Sequence, residues 1–108
     1  MFVAVYRWKL KPGMEEQFRQ GWSRTTMLAR EQCGSLGSAL FRAQDGSWVA
    51  IARWPERDAR TRCFERGPLD PEAARSMDEA VLERFATLEL ESVEDLWVLA
   101  PPAGSLSP

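Results

Sequence analysis

The sequence predicts an α+β domain: a four-stranded antiparallel sheet with helices on one face, in chain order βαββαβ. Three observations carry that expectation. Hydrophobic alternation with a period of two gives way to helical spacing and then returns, twice along the chain. Asp45-Gly46 stands between two apolar segments as a hairpin turn signal. A second stretch with helical spacing, broken at "ERGPL", precedes a last strand-like segment.

Phe2 to Leu10, "FVAVYRWKL", is rich in β-branched and aromatic residues and predicts a strand. Its alternating faces are Phe2, Ala4, Tyr6, Trp8 and Val3, Val5, Arg7, both apolar where the strand begins. "KPG" (Lys11 to Gly13) ends it. From Met14 to Gln32 the period becomes helical: Met14, Phe18, Trp22, Thr25, Leu28 and Ala29 share a stripe. Glu15 and Glu16 occupy the first turn, where the helix dipole favours acids, and Gly34 is the natural stop.

Ser35 to Arg42 and Ser47 to Trp54 predict a hairpin around a two-residue Asp45-Gly46 turn. That register pairs Gln44 with Ser47. Gly37, Ala39 and Phe41 then share a face with Trp48, Ala50, Ala52 and Trp54. The opposite face collects Leu36, Ser38, Leu40 and Arg42 with Val49, Ile51 and Arg53. Pro55 to Phe64 predicts a short helix with proline in its first turn. Asp70 is the expected N-cap of the next helix, with Pro71 first and Ala74, Met77, Val81 and Phe85 at core spacing. Leu88 to Leu99 predicts a long last strand interrupted at Glu94-Asp95.

This order is the ferredoxin-like split βαβ motif, and right-handed crossovers give it the strand order 4-1-3-2. Helices cover only one face of such a sheet, yet the other carries Val3, Val5, Leu36, Leu40, Val49 and Ile51. A second copy, sheet against sheet, is the simplest cover, so a homodimer is expected.

Composition narrows the chemistry. A chain of 108 residues with 44% hydrophobic content fits one domain, residues 1–100, followed by a flexible tail over 101–108. No apolar run reaches the roughly 18 residues of a membrane span. "MFVAVYRWKL" lacks the basic start and cleavage site of a leader, which predicts a cytoplasmic protein with no membrane partner. Net charge is -2, and no basic tract exists to engage nucleic-acid phosphates. Cys33 and Cys63 are isolated, form no CxxC motif, and are expected as small core residues; a disulfide is unexpected in a cytoplasmic chain. There is no histidine. That removes Ser-His and Cys-His pairs, a histidine base, histidine-ligated haem and most catalytic zinc sites. No glycine-rich loop follows a strand to hold a dinucleotide, so neither haem, flavin nor metal is expected.

At "FVAVYRWKLKPG" opening a helix, "GSLGSALFR", "WVAIARW" and the helix directly after Trp54, the chain resembles the antibiotic biosynthesis monooxygenase (ABM) family of dimeric α+β barrels. The resemblance covers about residues 2 to 99. It implies two sheets facing each other in a dimer, with each subunit's ligand held between sheet and helices. Some members of that family oxidise aromatic polyketides with dioxygen and no cofactor. Haem-degrading members use an asparagine on the first strand and a histidine on a later helix. Here that asparagine position holds Tyr6 and no histidine exists, which excludes that branch.

The candidate site lies on the Trp48–Ala50–Ala52–Trp54 face. Small residues between tryptophans leave room for a flat aromatic ligand, or alternatively let a helix lie close. The pocket reading bounds the space over Ala50 and Ala52 with Tyr6, Trp8, Trp48 and Trp54, and roofs it with Trp22 and Phe64. Tyr6, the only tyrosine, has a phenol able to bind a substrate oxygen or oxyanion, or simply to reach solvent. Tyr6 and Trp54, the tryptophan that closes the third strand, are the candidate catalytic residues. Arg7, Arg42 and Arg53 fall on the opposite face and are expected to pair with a partner's acids or with Glu89 and Glu91. Three functions remain in view: a cofactor-independent monooxygenase of a small phenol, quinol or anthrone, a non-catalytic ligand-binding or stress-related dimer, and, if no pocket exists, a purely structural interaction module.

Overall fold

A computed structural model describes residues 1–98, so the expectations for Leu99 and for the 101–108 tail lie outside the described residues. The elements are β1 (Phe2–Leu10), α1 (Glu15–Cys33), β2 (Ser38–Arg42), β3 (Trp48–Trp54), α2 (Arg57–Glu65), α3 (Pro71–Ala80), β4 (Val81–Arg84) and β5 (Leu88–Glu91). The sheet runs β2-β3-β1-β4, all antiparallel, with β5 also paired to β1. This is the predicted order, because β4 and β5 together fill the place of the fourth strand. β4 pairs the end of β1 at Trp8 to Leu10 and β5 pairs its start at Phe2 to Val5. The expected long last strand ends at Glu91, short of the interruption expected at Glu94-Asp95, and the break in the fourth strand's place falls between Arg84 and Leu88. Val81 and Phe85, expected on the helix, belong to a strand and to the loop after it. The Phe85 amide still donates to the Arg7 carbonyl at 3.1 Å, so β1 draws this segment into the sheet.

α1 stops where expected: Gly34 adopts φ 73° and its N–H donates to the Ala29 carbonyl. α3 begins on Asp70, whose Oδ1 accepts from the amides of Glu72 and Ala73, each at 3.1 Å. α2 starts later than predicted, with Pro55 before the helix rather than in its first turn. Gly21 on α1 is buried because α3 presses against it. A Cβ there would meet Met77 Cγ at 2.7 Å and the Ala73 carbonyl oxygen at 2.8 Å.

β1 and β3 pair as their alternation requires, Phe2 to Trp54, Ala4 to Ala52, Tyr6 to Ala50 and Trp8 to Trp48. β2 does not. Leu40 opposes Ala50 and Ser38 opposes Ala52, one residue out of the predicted register. The loop has three residues, Gln44 to Gly46. The Gly46 amide donates to Ala43 O at 3.0 Å, Ala43 N donates to Ser47 O at 2.8 Å, and Gly46 is left-handed at φ 86°. This is a turn followed by a glycine bulge. Ser47, fully buried, donates to Asp45 Oδ1 at 2.6 Å and accepts from Arg7 Nε at 3.1 Å, which ties the loop to β1. One step of register exchanges the faces of β2. Leu40, Ser38 and Arg42 turn to the helix side, and Ala39 and Phe41 to the outer side.

The helix side holds two cores: Phe2, Ala4, Ala52, Trp54 and Cys63 at one end, Trp8, Phe18, Ala50 and Ala80 at the other. The arginines expected on the outer face find partners within the chain, though the register shift has moved Arg42 to the helix side. Arg7 pairs with Asp45 at 2.7 Å and Arg53 with Asp95 at 3.4 Å, while Arg42 lies over Trp48. Glu89 and Glu91 pair with Arg57, and Glu89 also with Arg60. Cys33 and Cys63 form a disulfide, Cα atoms 5.5 Å apart, in place of the two separate thiols expected. Their separation of 30 positions carries no local signal of pairing. No helix among the described residues is long and apolar enough to cross a membrane.

Candidate functional site

A cavity of about 260 Å³ lies between the sheet and the helices. Ala52 of β3 lies on its sheet side, with Tyr6 and Trp8 of β1, Ser38 of β2 and Trp54 at the end of β3. Trp22, Thr25, Thr26 and Ala29 line it from α1, Phe64 from α2 and Met77 from α3. Six residues singled out in the sequence thus come together: Tyr6, Trp8, Trp22, Ala52, Trp54 and Phe64. Two do not line the cavity. Ala50, 1% exposed, is packed into the core of Trp8, Phe18 and Ala80. Trp48 lies edge-on to Phe18, ring centres 6.4 Å apart, in that same cluster. The alternative readings of the alanine face therefore divide between its alanines: helix packing over Ala50, open space over Ala52.

The aromatic wall is ordered by strand alternation. Tyr6 and Trp8, two apart on β1, lie nearly parallel with ring centres 5.8 Å apart and 12° between planes. Phe18 presses edge-on against Trp8 at 4.8 Å and fixes its plane.

Polar groups are few and specific. The Tyr6 hydroxyl accepts a hydrogen bond from Arg60 Nε at 2.9 Å. Burial pushes the Tyr6 phenol above its usual value, and the Arg60 hydrogen bond and charge pull partly against that. At neutral pH Tyr6 is therefore a neutral phenol. With Arg60 occupying an oxygen lone pair, its proton is left to donate to a ligand. Arg60 is itself held by Glu89 at 3.0 Å and lies over the Phe64 ring at 4.4 Å. Ser38 Oγ and Trp54 Nε1 are buried without a hydrogen-bond partner among the described residues. Both residues line the cavity. Arg84, at the rim, pairs with Asp78 at 2.9 Å. Among the lining residues there is no carboxylate, so no general base of ordinary strength faces a ligand.

Sequence reasoning missed Arg60, Ser38 and Arg84. Arg60 carried a signal: it precedes Phe64 by four positions and so shares its helix face. Ser38 was placed on the wrong face by the register, and Arg84 was hidden by the helical reading of its segment.

A wider groove of about 440 Å³ runs along the β2 edge. Trp22, Thr26 and Ser38 line both spaces. The groove also includes Phe41, Ile51, Arg53 and Trp97 on or beyond the outer side of the sheet. The cavity over Ala52, with its aromatic walls and few polar groups, has the character of a small-molecule site.

No protein-family model matches the chain, and no curated protein matches it in sequence. Solved structures do. SnoaB from Streptomyces nogalater, described as a cofactor-independent oxygenase, matches in a mutant form with a TM-score of 0.70 and 23% identity, over 88% of this chain and 95% of that one. A protein provisionally assigned as an antibiotic biosynthesis monooxygenase from Caulobacter crescentus matches with a TM-score of 0.73 and 17% identity, over 86% and 90%. A similarly assigned protein from Bordetella bronchiseptica matches with a TM-score of 0.72 and 19% identity, over 86% and 97%. The chain has the fold of the antibiotic biosynthesis monooxygenases.

Proposed function

We propose that the protein is a cofactor-independent monooxygenase acting on a small, flat, oxygenated aromatic such as a quinol or anthrone. The observation that carries this reading is the cavity over Ala52. It is walled by Tyr6, Trp8, Trp22, Trp54 and Phe64, with the Tyr6 phenol donor backed by Arg60. Flat rings stack on such walls, and a hydroxyl or carbonyl oxygen on the ring meets the phenol.

The chemistry asks little of the protein. In an anthrone, the activated ring carbon bearing two hydrogens loses one proton, and the carbanion passes an electron to dioxygen. Superoxide and the substrate radical combine into a peroxide, which loses water to leave a carbonyl. One oxygen atom enters the product and the other leaves as water. An anthrone is acidic enough to ionise without a strong base, which suits a lining that has none. Tyr6, with Arg60 behind it, stabilises the enolate oxygen, while the aromatic walls hold the ring in place. The absence of carboxylate and histidine at the site also suits the second reading, a binding protein without turnover.

Oxygen uptake with a panel of anthrones and quinols separates the two. Turnover that is lost in Tyr6→Phe supports the oxygenase. Tight binding, read by tryptophan fluorescence, with no uptake above the spontaneous rate overturns it in favour of the binding protein.

The working unit in this reading is a cytoplasmic homodimer joined through the outer face of Val3, Val5, Val49 and Ile51. Phe41, Leu88 and Leu90, each more than 40% exposed, extend that patch. Leu40, now in the core on the helix side, leaves it. A surface of this kind is self-complementary in a two-fold pair. Ile51→Lys is expected to give monomers in sedimentation velocity, and an unmutated chain that stays monomeric at micromolar concentration overturns the dimer.

A further inference from the structure

The Cys33–Cys63 bond joins two elements of unequal security. α1 is long and buries Phe18, Gly21 and Leu28, whereas Cys63 is the one buried residue of α2. The rest of α2 is held by Ala59, packed against the core beside Cys63, by Arg60 to the Tyr6 hydroxyl and to Glu89, by Arg57 to Glu89, and by Arg66, just past its end, to the Gln32 carbonyl at 3.2 Å. Of these, the exposed Arg57 pair contributes little. The disulfide is the covalent tie between α1 and the helix that brings Arg60 and Phe64 to the aromatic cavity.

A separate small cavity, about 230 Å³, opens directly on that bond. It is lined by Gln32, Cys33, Ala59, Arg62, Cys63 and Arg66, two of them cationic and none acidic. Arg66 Nη1 lies 3.6 Å from Cys33 Sγ, and Arg62 pairs with Glu56, which lies outside the lining. Cys63 is 4% exposed and Cys33 half-buried, so Cys33 is the more accessible of the two residues.

We propose that this second cavity is a thiol–disulfide exchange site for a small anionic thiol, and that exchange there releases α2 from α1. Arg62 and Arg66 attract the carboxylate or sulfonate of the thiol. Its thiolate attacks Cys33 Sγ; the Cys33–Cys63 bond breaks, and the electron pair leaves on Cys63 Sγ, which takes a proton from water. Cys33 then carries a mixed disulfide. A second thiolate attacks the outer sulfur of that adduct, giving the small-molecule disulfide and a Cys33 thiolate beside the Arg66 guanidinium. Two small thiols are oxidised and the protein disulfide is reduced. Intracellular disulfides are most often of this transient, redox-responsive kind. The site stands whether or not the aromatic cavity carries out oxygenation.

The test uses the full-length protein, purified without reductant, and three thiols: mercaptoethanesulfonate, mercaptoethanol and cysteamine. Rates are compared at equal thiolate concentration, and adducts are mapped by mass spectrometry after acid quenching. The anionic thiol is expected to react about tenfold faster than the cationic one, an electrostatic effect that added salt suppresses. Adducts should fall on Cys33. Arg62→Ala with Arg66→Ala, both exposed positions, should bring the rates together. After reduction, amides of α2 should exchange with deuterium about tenfold faster while those of α3 hold steady. Equal rates for the three thiols, adducts on Cys63, two titratable thiols in the untreated protein, or an α2 indifferent to reduction would each overturn the proposal.

Discussion

Leucine at position 52 and leucine at position 50 are the same chemical change on the same face of the same strand, and the structure assigns them opposite effects. Ala52 borders an open cavity of about 260 Å³. Three added carbons occupy about 90 Å³, near a third of that space, at about 30 Å³ each, comparable to one water. Filling it with apolar carbon returns about 0.8 kcal/mol per methylene, less roughly 0.5–1 kcal/mol of side-chain entropy. Ala52→Leu is therefore expected to leave the melting temperature unchanged or raised. Ala50, 1% exposed, is buried in one cluster with Phe18, Trp8 and Ala80. Ala50→Leu should cost about 1–3 kcal/mol through overpacking, a loss of roughly 4–8 °C for each kcal/mol in a domain near this size. Ligand binding should respond in reverse. With an anthrone as titrant and tryptophan fluorescence as readout, Ala52→Leu should weaken binding at least about tenfold, near 1.4 kcal/mol, through lost space alone. Ala50→Leu should bind nearly as the parent does while it remains folded. Equal losses of melting temperature in the two variants, with anthrone affinity unchanged in Ala52→Leu, would refute the assignment of the cavity.

Tyr6, the single tyrosine, can be followed by phenolate absorbance without interference from another phenol. It should titrate above 10.0 in the folded protein, and higher still in Arg60→Ala, because the guanidinium lowers it. Since folding raises this pKa, its contribution to stability is complete below pH 10.0 and is lost as pH rises through the folded value; a midpoint below 10.0 would contradict the burial of the phenol. Asp45, held at about 2 by its Ser47 hydrogen bonds and by Arg7, behaves in the opposite sense. Its contribution is present above pH 3.8 and lost as pH falls through about 2, and Asp45→Asn should flatten that part of the acid-unfolding curve. Gly21→Ala should destabilise by about 1–3 kcal/mol despite the roughly 1 kcal/mol that alanine offers a helix, because the methyl would meet Met77 and the Ala73 carbonyl. A rise in melting temperature would show that α1 and α3 can move apart freely.

What the sequence by itself determined was whatever short-range chemistry decides. The stripe from Met14 to Leu28, the stop at Gly34 and the Asp70 cap depend on residues within a few positions of one another, and each is found in place. The two faces of β1 and β3 follow from alternation alone, which is why Tyr6, Trp8, Ala52 and Trp54 fall on one side from the sequence pattern itself. The tertiary structure decided the rest, for reasons no local window contains. The β2 register turned on whether Asp45-Gly46 closes a two- or three-residue loop. Buried Ser47 and Arg7, a residue on another strand, hold the longer form. β1 takes Val81 to Phe85 away from helical spacing by offering unpaired edge groups, and a buried edge must be satisfied. Arg60 reaches Tyr6 and Cys33 reaches Cys63 across 54 and 30 positions, distances that only folding closes. Ala50 and Ala52 are identical in composition and face; what separates a packed core from an open cavity is that Phe18 packs with the first and leaves space beside the second.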